Sequence, residues 1–282
     1  MKTLKLKSPG KVNLRLDVLS RRADGYHELR MLNSAVSVYD DVEIEIIERG
    51  IVVECTNDPL APTGEDNIVY RAAKEIMAYS NKNVGVQIRI TKQIPTGAGM
   101  GGGSSNAAAV IQGVNQLLKI NLPKEKLMKI GVRFGADIPF FIFGSPAIAT
   151  GIGENLTRVK RLPSLPMVIV HHNIFVSTQS VYERYRPNVG PAKEEMPVEF
   201  PTKKAVAKFL HNDLESVTVK QYPVVTSIKE QLMKLGALGA SMTGSGPSVF
   251  GIFADREAAE KAYKRLVHKG NGDTRVFMAE NV

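Results

Sequence analysis

The stretch Pro95-Thr96-Gly97-Ala98-Gly99-Met100-Gly101-Gly102-Gly103-Ser104-Ser105-Asn106 crowds five glycines into one turn, directly before a helix-forming segment. Glycine lets the backbone adopt positive φ angles and approach a ligand closely. The free N–H groups and the partial positive charge at the start of a helix favour an anion. A flexible linker is the alternative for so many glycines, but the tight placement between two regular elements disfavours it. The stretch therefore predicts a phosphate-binding loop.

The residues on either side of the loop predict a strand and a helix. Residues 84–94 alternate apolar and polar side chains, as a half-buried strand does. Apolar residues recur at helical spacing over 107–118, and Ser104, Ser105 or Asn106 is expected to cap this helix. The last glycines and the serines would then lie where the free N–H groups converge.

Two other types of phosphate loop fit this stretch less well. A Walker A loop needs a lysine before its Ser or Thr, and Gly103 occupies that place. Gly97, Gly99 and Gly102 match the dinucleotide fingerprint, but that loop belongs to a βαβ unit. Here the helix runs instead into 121–125 and what looks like another helix, so a dehydrogenase is disfavoured.

Composition limits the class of protein. A chain of 282 residues can form one large domain or two smaller ones. A single cysteine, Cys55, excludes an internal disulfide and fits a reducing cytosol. The first seven residues lack the apolar block of a signal peptide, and no apolar run approaches the roughly 20 residues that span a bilayer. We expect a cytoplasmic protein with no membrane partner.

The formal net charge of +9 favours anionic partners such as nucleotides, phosphorylated metabolites or nucleic acid. Lysines and arginines are scattered along the chain, and no arginine-rich tail or aromatic-spaced RNA motif is present. A solvated basic surface is therefore the better interpretation, and we do not expect a nucleic-acid partner.

Periodicity predicts an α+β fold in two halves, with 158–166 as the boundary, so that the domains are 1–160 and 161–282. Residues 48–50 are expected to form a hairpin turn between two strands. Strands are predicted at 4–6, 12–19, 32–38, 42–47, 51–55, 84–94, 138–143, 147–150, 167–171, 239–242, 248–253 and 275–278, and helices at 67–79, 107–118, 124–134, 178–185, 203–210, 223–235 and 255–268.

Three further motifs carry chemically useful side chains. In Ser8-Pro9-Gly10-Lys11-Val12-Asn13-Leu14, a lysine follows a Pro-Gly turn and is either held in a site or exposed on a strand edge. In Gly135-Ala136-Asp137-Ile138-Pro139, a carboxylate lies between a helix and an apolar strand, where it is either functional or a turn residue. Thr243-Gly244-Ser245-Gly246-Pro247-Ser248 is a hairpin or a backbone collar around a ligand.

Taken together, the segments 9–14, 95–107 and 242–248 resemble, in order and spacing, the three motifs of the GHMP kinases. These enzymes phosphorylate small-molecule hydroxyls or phosphates with ATP. The segments 22–27, 65–67, 135–139 and 212–215 resemble the branch that acts in non-mevalonate isoprenoid biosynthesis on a small-molecule substrate with a cytidine diphosphate group. The resemblance covers about Leu6 to Phe253. Its departures, Gly10 for Ala, Met100 for Leu and Ser20 for Gly, remove no functional group.

The resemblance implies the GHMP kinase fold and a catalytic pair. An N-terminal α/β domain similar to ribosomal proteins would precede a C-terminal ferredoxin-like α+β domain, with ATP and substrate in the cleft between them. Asp137 corresponds to the catalytic aspartate, which would accept the proton of the substrate 2-hydroxyl. Lys11 corresponds to its partner lysine, which would keep Asp137 ionised and offset charge on the phosphoryl group.

The resemblance also implies binding of ATP with Mg²⁺. Ser104 or Ser105 would help to place the metal, whose other ligands stay open, and Asn67 is the candidate for the adenine. The residues expected to bind the nucleotide are Asn67, Pro95, Thr96, Gly97, Ala98, Gly99, Met100, Gly101, Gly102, Gly103, Ser104 and Ser105.

On the substrate side, the resemblance implies that Tyr26 and Tyr182 sandwich the cytosine while His27 recognises its polar edge. Tyr185 is a rival for Tyr182. The residues expected to bind the substrate are Asn13, Tyr26, His27, Asp137, Thr178, Tyr182, Thr243 and Gly244.

Two other functions stay open. The chain could be a GHMP kinase for homoserine, mevalonate or a sugar, or a basic RNA-binding protein, since its N-terminal half resembles a ribosomal-protein fold. The oligomeric state is also open.

Overall fold

The structure is a computed structural model that describes residues 2–186, 195–269 and 272–282. It mixes strands and helices along the whole chain, which confirms the predicted α+β class. The strands are β1 (Thr3–Arg21), β2 (His27–Ile47), β3 (Ile51–Thr56), β4 (Gly85–Thr91), β5 (Ala147–Gly151), β6 (Asn155–Arg158), β7 (Met167–His172), β8 (His211–Asn212), β9 (Gly239–Met242), β10 (Val249–Ile252) and β11 (Thr274–Ala279). The helices are α1 (Ile68–Met77), α2 (Gly102–Leu117), α3 (Lys124–Gly131), α4 (Ile138–Phe143), α5 (Thr178–Arg184), α6 (Lys203–Phe209), α7 (Glu215–Gln221), α8 (Val224–Lys234) and α9 (Arg256–Lys269), with a short 3₁₀ turn at Gly64–Asp66 before α1.

These strands form two sheets. In the first, the order is β3-β4-β2-β1-β8, and β5 pairs with both β2 and β6. In the second, the order is β11-β7-β10-β9, and every pair is antiparallel. Their registers include Ile44 opposite Ile88 in the first sheet and Phe250 opposite Ile169 in the second.

The described chain divides into two compact units, and neither is continuous in sequence. Unit 1 contains the chain up to Gly10, Tyr39–Thr96 and Gly101–Gly144. Unit 2 contains Lys11–Val38, Gly97–Met100 and the described residues from Ser145 onward. The predicted boundary near residue 160 stays a prediction.

Each unit has its own apolar core. In unit 1, helices α1 to α4 bury Ala72, Val110 and Ile130 with strand residues such as Ile44 and Ile88. In unit 2, the core joins residues of β1 and β2 to those of β7, β10, α8 and α9. Its buried members include Leu16, Met31, Val168, Leu232 and Ala262.

The predicted hairpin at 48–50 is wrong. β4 lies between β2 and β3, antiparallel to β2 and parallel to β3, so the two strands beside the turn do not pair with each other. The turn residue Gly50 accepts a hydrogen bond from the backbone N–H of Val86 at 2.9 Å. A turn signal shows where the chain changes direction, whereas the neighbour of a strand depends on a partner that here lies about 35 residues away.

The predicted strand at 138–143 is also wrong, because these residues form helix α4. The six residues are Ile-Pro-Phe-Phe-Ile-Phe, and a short, wholly apolar run does not distinguish a buried strand from a buried helix. Pro139 lies in the first turn of α4, where a missing N–H costs no hydrogen bond.

Two local expectations near the motifs also fail. Pro9 and Gly10 form no turn, because β1 continues through them to Arg21. None of Ser104, Ser105 and Asn106 caps α2, which begins earlier and has Gly101 at its N-cap. In both cases, residues typical of a turn or cap were assigned from sequence preference, and tertiary packing overrides that preference.

Candidate active site

Lys11 of unit 2 is held by both its backbone and its side chain. Its backbone N–H donates to the carbonyl of Met100 at 2.9 Å, so β1 contacts the glycine-rich loop there. Its Nζ donates to Oδ1 of Asn13 at 2.6 Å, and the lysine is only 4% exposed. Lys11 is therefore a buried lysine and not an exposed residue on a strand edge.

Two glycine turns of unit 2 meet beside Lys11. The hydroxyl of Thr243 donates to the carbonyl of Gly99 at 3.2 Å, and the N–H of Gly244 donates to Oδ1 of Asn13 at 2.8 Å. Gly244 has a φ of +58°, and a Cβ atom there would lie 2.9 Å from the carbonyl oxygen of Gly99. Only glycine allows this backbone conformation and this close approach without strain. The segment 243–248 joins the antiparallel strands β9 and β10 as a hairpin and contacts the glycine-rich loop, while its role as a collar around a ligand stays a prediction.

Asn13 connects these elements. It is fully buried, its Oδ1 accepts from Lys11 and from Gly244, and its backbone N–H donates to the hydroxyl of Thr243 at 3.1 Å. Its Nδ2 donates to Oδ1 of Asn33 at 2.7 Å. Direct contact between Asn13 and a substrate stays a prediction.

The aromatic residues expected near the cytosine differ in their surroundings. The rings of His27 and Tyr182 lie 5.3 Å apart and are tilted by 31°. Tyr26 is 61% exposed, and its backbone N–H donates to Asp24 in a short loop. Tyr185 is buried, and its side chain belongs to the apolar core of unit 2. Tyr182 and His27 are therefore the aromatic pair that the fold brings together.

Burial and charge set the ionisation of two of these groups. Burial, helped by the nearby charge of Arg21, lowers the pKa of His27 below its ordinary 6.5. Burial also raises the pKa of Tyr185 to about 12, together with the charge of Asp213 and the hydrogen bond to it. At neutral pH the imidazole of His27 is therefore uncharged and the hydroxyl of Tyr185 is protonated.

Thr178 is the first residue of α5 and is exposed. Its hydroxyl lies 2.9 Å from that of Ser245, so the start of α5 contacts the segment 243–248. Ser177 caps the helix by accepting from the N–H of Ser180 at 3.3 Å.

In unit 1, the start of α2 fits an anion. Its N-cap is Gly101, which has no side chain to accept a hydrogen bond from the N–H groups of the first turn. Gly102 and Gly103 add no side chains, and Gly103 is exposed. Backbone N–H donors without a side-chain cap at the start of a long helix are the arrangement that binds phosphate. The structure therefore fits the phosphate groups of a nucleotide here.

The two serines of this turn face different surroundings. Ser105 is 1% exposed, and its hydroxyl accepts from that of Ser8 at 2.7 Å. Ser104 is half-buried, and its hydroxyl would lie 3.3 Å from a Cβ atom at Gly135. Ser104 thus faces the segment that contains Asp137, whereas Ser105 faces the core.

Asp137 occupies the N-cap position of α4 and is half-buried, but its side chain does not cap the helix. The sequence predicts Asp137 between a helix and a strand. In the structure Asp137 lies between the helices α3 and α4, because 138–143 is helical.

Asn67 caps α1 and is nearly buried. Its Oδ1 accepts from the N–H of Val69 at 2.9 Å, and its Nδ2 donates to the carbonyl of Pro62 at 2.8 Å. This network orders the start of α1, while contact with an adenine stays a prediction.

Sequence reasoning missed two carboxylates that accept hydrogen bonds from the backbone at the start of the glycine-rich loop. Oδ1 of Asp40 accepts from the N–H groups of Gln93 and Ile94 at 2.7 and 2.8 Å, and its Oδ2 pairs with Nζ of Lys92. Asn106 donates to Asp40 at 3.0 Å and accepts from Lys92 at 3.1 Å. An acidic residue inside an apolar strand pattern was the available signal, because a buried carboxylate needs partners.

The second carboxylate is Asp58, whose Oδ2 accepts from the N–H of Thr96 at 2.8 Å and whose Oδ1 accepts from that of Leu60 at 3.0 Å. Burial opposes its ionisation, yet hydrogen bonds from Thr96 and Leu60 and the charge of Lys92 hold its pKa below the ordinary value. Pro95 and Thr96 therefore begin the loop from a fixed position.

Among the described residues, one group of side chains can bring three metal-ligand atoms together, namely Asp17, His211 and Asp213. Asp17 forms ion pairs with Arg15 and Arg30, each at 3.1 Å. Because two guanidinium groups compensate this carboxylate, we assign no metal to the group.

Comparisons with known proteins place this geometry in a family. A family model for the GHMP kinases N terminal domain matches residues 67–145, and one for the GHMP kinases C terminal region matches 201–272. A Geobacter sulfurreducens protein named 4-diphosphocytidyl-2-C-methyl-D-erythritol kinase is 48% identical over 94% of this chain and 95% of its own length. The crystal structure of a 4-(cytidine 5'-diphospho)-2C-methyl-D-erythritol kinase aligns with a TM-score of 0.82 at 32% identity and covers 99% of both chains.

A homoserine kinase from Cytophaga hutchinsonii aligns with a TM-score of 0.75, covering all of this chain and 96% of its own, but at 19% identity it shows the fold alone. The fold and the glycine-rich loop are therefore those of the GHMP kinases. Within that superfamily, the chain belongs to the family of 4-diphosphocytidyl-2-C-methyl-D-erythritol kinases.

The predicted family, fold and enzyme class are confirmed, and membership in the GHMP kinases implies the use of ATP. Over the part of the chain that the structure describes, no helix is both long enough and apolar enough to cross a membrane.

Proposed function

We propose that this enzyme transfers the γ-phosphoryl group of ATP to the 2-hydroxyl of 4-diphosphocytidyl-2-C-methyl-D-erythritol, in the non-mevalonate route to isoprenoid precursors. The observation that carries the proposal is the hydrogen bonding of Lys11 and Asn13 to Met100 and Gly244, which joins the three kinase motifs within unit 2. The names of the relatives supply the substrate. The reaction belongs in the cytoplasm, where ATP is available.

In the proposed reaction, Asp137 accepts the proton of the acceptor hydroxyl as its oxygen bonds to the γ-phosphorus. The bond from that phosphorus to the β,γ-bridging oxygen breaks, and ADP leaves. Lys11 keeps Asp137 ionised and offsets the charge on the transferring group. Support comes from the burial of Lys11 and from the place of Asp137 at the start of α4, in the segment that Ser104 of the glycine-rich stretch faces.

The nucleotide is proposed to bind along residues 95–105, with its phosphates at the uncapped N–H groups of α2 and its adenine near Asn67. Mg²⁺ prefers oxygen ligands and would screen the phosphate charge. Of the two serines, Ser104 is the proposed ligand, because its hydroxyl faces the segment of Asp137 while that of Ser105 is bonded to Ser8.

For the acceptor, we assign the cytosine sandwich to Tyr26 and Tyr182, since the ring of Tyr185 is buried. A neutral His27 offers one nitrogen as a donor and the other as an acceptor, which suits the polar edge of cytosine. The erythritol and diphosphate portion is proposed to contact Asn13, Thr178, Thr243 and Gly244.

A coupled assay of ADP release tests the reaction. We expect turnover with the cytidylated methylerythritol and none with homoserine, mevalonate or galactose. Turnover with one of these three alone would identify another GHMP small-molecule kinase and would overturn the proposal.

The variant Asp137→Asn tests the base. It should lower kcat by about 100-fold or more with little change in ADP affinity, because the amide cannot accept the proton. Near-normal turnover would remove Asp137 from this role.

A further inference from the structure

We propose that Asn212 is a positioning residue for Lys11, acting through the Gly244 peptide and Asn13; this proposal rests on the proposed function of Lys11. Asn212 belongs to the segment Asn212-Asp213-Leu214-Glu215, which the reaction scheme leaves without a role. It is 5% exposed and lies in β8, which pairs with β1 so that Asn212 is opposite Leu16.

The amide of Asn212 is committed to backbone groups. Its Nδ2 donates to the carbonyls of Met242 and Gly244, both at 2.8 Å, and its Oδ1 accepts from the N–H of Leu214 at 3.0 Å. One side chain thus holds the carbonyl of the last residue of β9 and that of Gly244 in the turn that follows. Each of these hydrogen bonds adds little net stability, but a buried backbone group that loses its partner costs much more. The buried amide therefore fixes the local backbone.

Gly244 is therefore held from two sides. Its carbonyl accepts from Asn212, and its N–H donates to Oδ1 of Asn13, which also accepts from Nζ of Lys11. The left-handed backbone at Gly244 has no side chain of its own to hold it. A rotation of this residue would remove one of the groups that orient the Asn13 amide, and the acceptor that Asn13 offers to Nζ of Lys11 would move.

Because phosphoryl transfer depends on position and electrostatics, small displacements of Lys11 affect the rate more than the binding. Asn212 touches neither nucleotide nor acceptor in this scheme. Its influence should therefore appear in kcat and should depend on the presence of the Lys11 ammonium.

A double-mutant cycle tests this dependence. With both substrates saturating, Asn212→Ser should lower kcat by about tenfold and change the KM for ATP by less than about threefold. In a Lys11→Met background, the same substitution should lower kcat by less than about twofold, because the group it positions is absent. An equal tenfold factor in both backgrounds would overturn the proposal.

Glu215→Gln is the matched control. Glu215 accepts from the N–H of Met242 at 3.3 Å and pairs with Lys229, so it braces the same strand end without touching Gly244. We expect its kcat to stay within about twofold of wild type. A loss in this variant as large as that in Asn212→Ser would show that general support of β9 explains both effects.

A second readout does not depend on turnover. The ¹⁵Nζ signal of Lys11, assigned by its loss in Lys11→Met, should shift in Asn212→Ser and remain unchanged in Glu215→Gln. If wild-type enzyme fails to phosphorylate the acceptor, the proposed function fails, while this signal still decides the positioning role. An unshifted signal in Asn212→Ser refutes it. Should Asn212→Ser not fold, Asn212→Asp takes its place, since it keeps the size and the Oδ1 acceptor for Leu214.

Discussion

Unit 1 and unit 2 each bury a lysine next to the glycine-rich loop, and the two lysines have different surroundings. Nζ of Lys92 in unit 1 is bonded to Asp40 and Asn106, and a Cβ atom at Gly102 would lie 3.1 Å from it. Nζ of Lys11 in unit 2 donates to the neutral amide of Asn13, which is itself held by glycine-turn backbone. Lys92 thus takes part in a buried polar network of unit 1, whereas Lys11 bonds to residues of the kinase motifs in unit 2.

Two tyrosines, one in α5 and one directly after it, also differ in their surroundings. Tyr185 is buried with its hydroxyl bonded to Asp213, whereas Tyr182 packs its ring beside His27. The two members of each pair are the same type of residue, so they are distinguished by their burial and by their hydrogen-bond partners. Each pair therefore allows a substitution at the supporting residue to serve as the control for one at the site.

The largest expected effect is on folding. Lys92→Met should lower the free energy of unfolding by roughly 3–5 kcal/mol, because Asp40 is left as an uncompensated buried charge. Urea denaturation measures this. The double variant Lys92→Met/Asp40→Asn should recover most of the loss, and equal destabilisation of both variants would show that packing rather than charge is responsible.

Unlike Lys92→Met, Lys11→Met should lower the catalytic rate and not the free energy of unfolding. We expect kcat to fall by roughly 100- to 1000-fold, as for loss of one preorganised charge at a transition state. Rapid-quench measurement of a single turnover gives the rate, and urea denaturation in parallel gives the stability. A loss of stability as large as that of Lys92→Met, with kcat preserved in the folded fraction, would erase the distinction between the two lysines.

The tyrosine pair should separate acceptor binding from stability. Tyr182→Ala should raise the KM for the acceptor by about 5- to 150-fold, the equivalent of the roughly 1–3 kcal/mol expected for stacking on one base. Tyr185→Phe keeps the ring and loses the hydroxyl, so it should leave this KM unchanged and lower the free energy of unfolding by about 1–3 kcal/mol. Equal, small changes of KM in both variants would remove the cytosine sandwich.

The smallest effect concerns the protonation of His27. Its folded-state pKa is lowered, so below about pH 6.5 the unfolded chain binds a proton that the folded chain does not. The free energy of unfolding should therefore fall as the pH falls through this window, and less steeply in His27→Gln. Urea denaturation between about pH 7 and pH 5 compares the two slopes. Identical slopes would show that burial beside Tyr182 does not disfavour the charged imidazole.

Local sequence signals predicted much of the fold. The alternation over 84–94 and the helical spacing over 107–118 correspond to β4 and α2. The failures arise where local signals are ambiguous. The apolar run of α4 fits either type of element, and the turn after β2 does not reveal that β4 lies between β2 and β3.

In the candidate site, too, the residues that the sequence predicts are those with a clear signal in the sequence. Residues 95–106 could be selected from their glycines alone, whereas Lys11 and the turn at 243–248 were selected by their resemblance to kinase motifs. Asp40 and Asp58 do not stand out in the sequence, and Asn212 does so only as part of a family segment without a role, because an acidic or amide residue acquires meaning from its partners. Those partners are distant in sequence, and burial makes their hydrogen bonds obligatory.

The order of residues is enough to show that a glycine-rich loop precedes a helix and that the chain carries the motifs of a GHMP kinase. Backbone freedom and helix N–H groups are local properties, so residues 95–106 specify them without help. The packed fold is needed to show that Tyr185 is buried while the ring of Tyr182 lies beside that of His27, and that Gly244 bonds to both Asn212 and Asn13. Burial and long-range hydrogen bonds depend on which segments pack together, and that is a property of the whole fold.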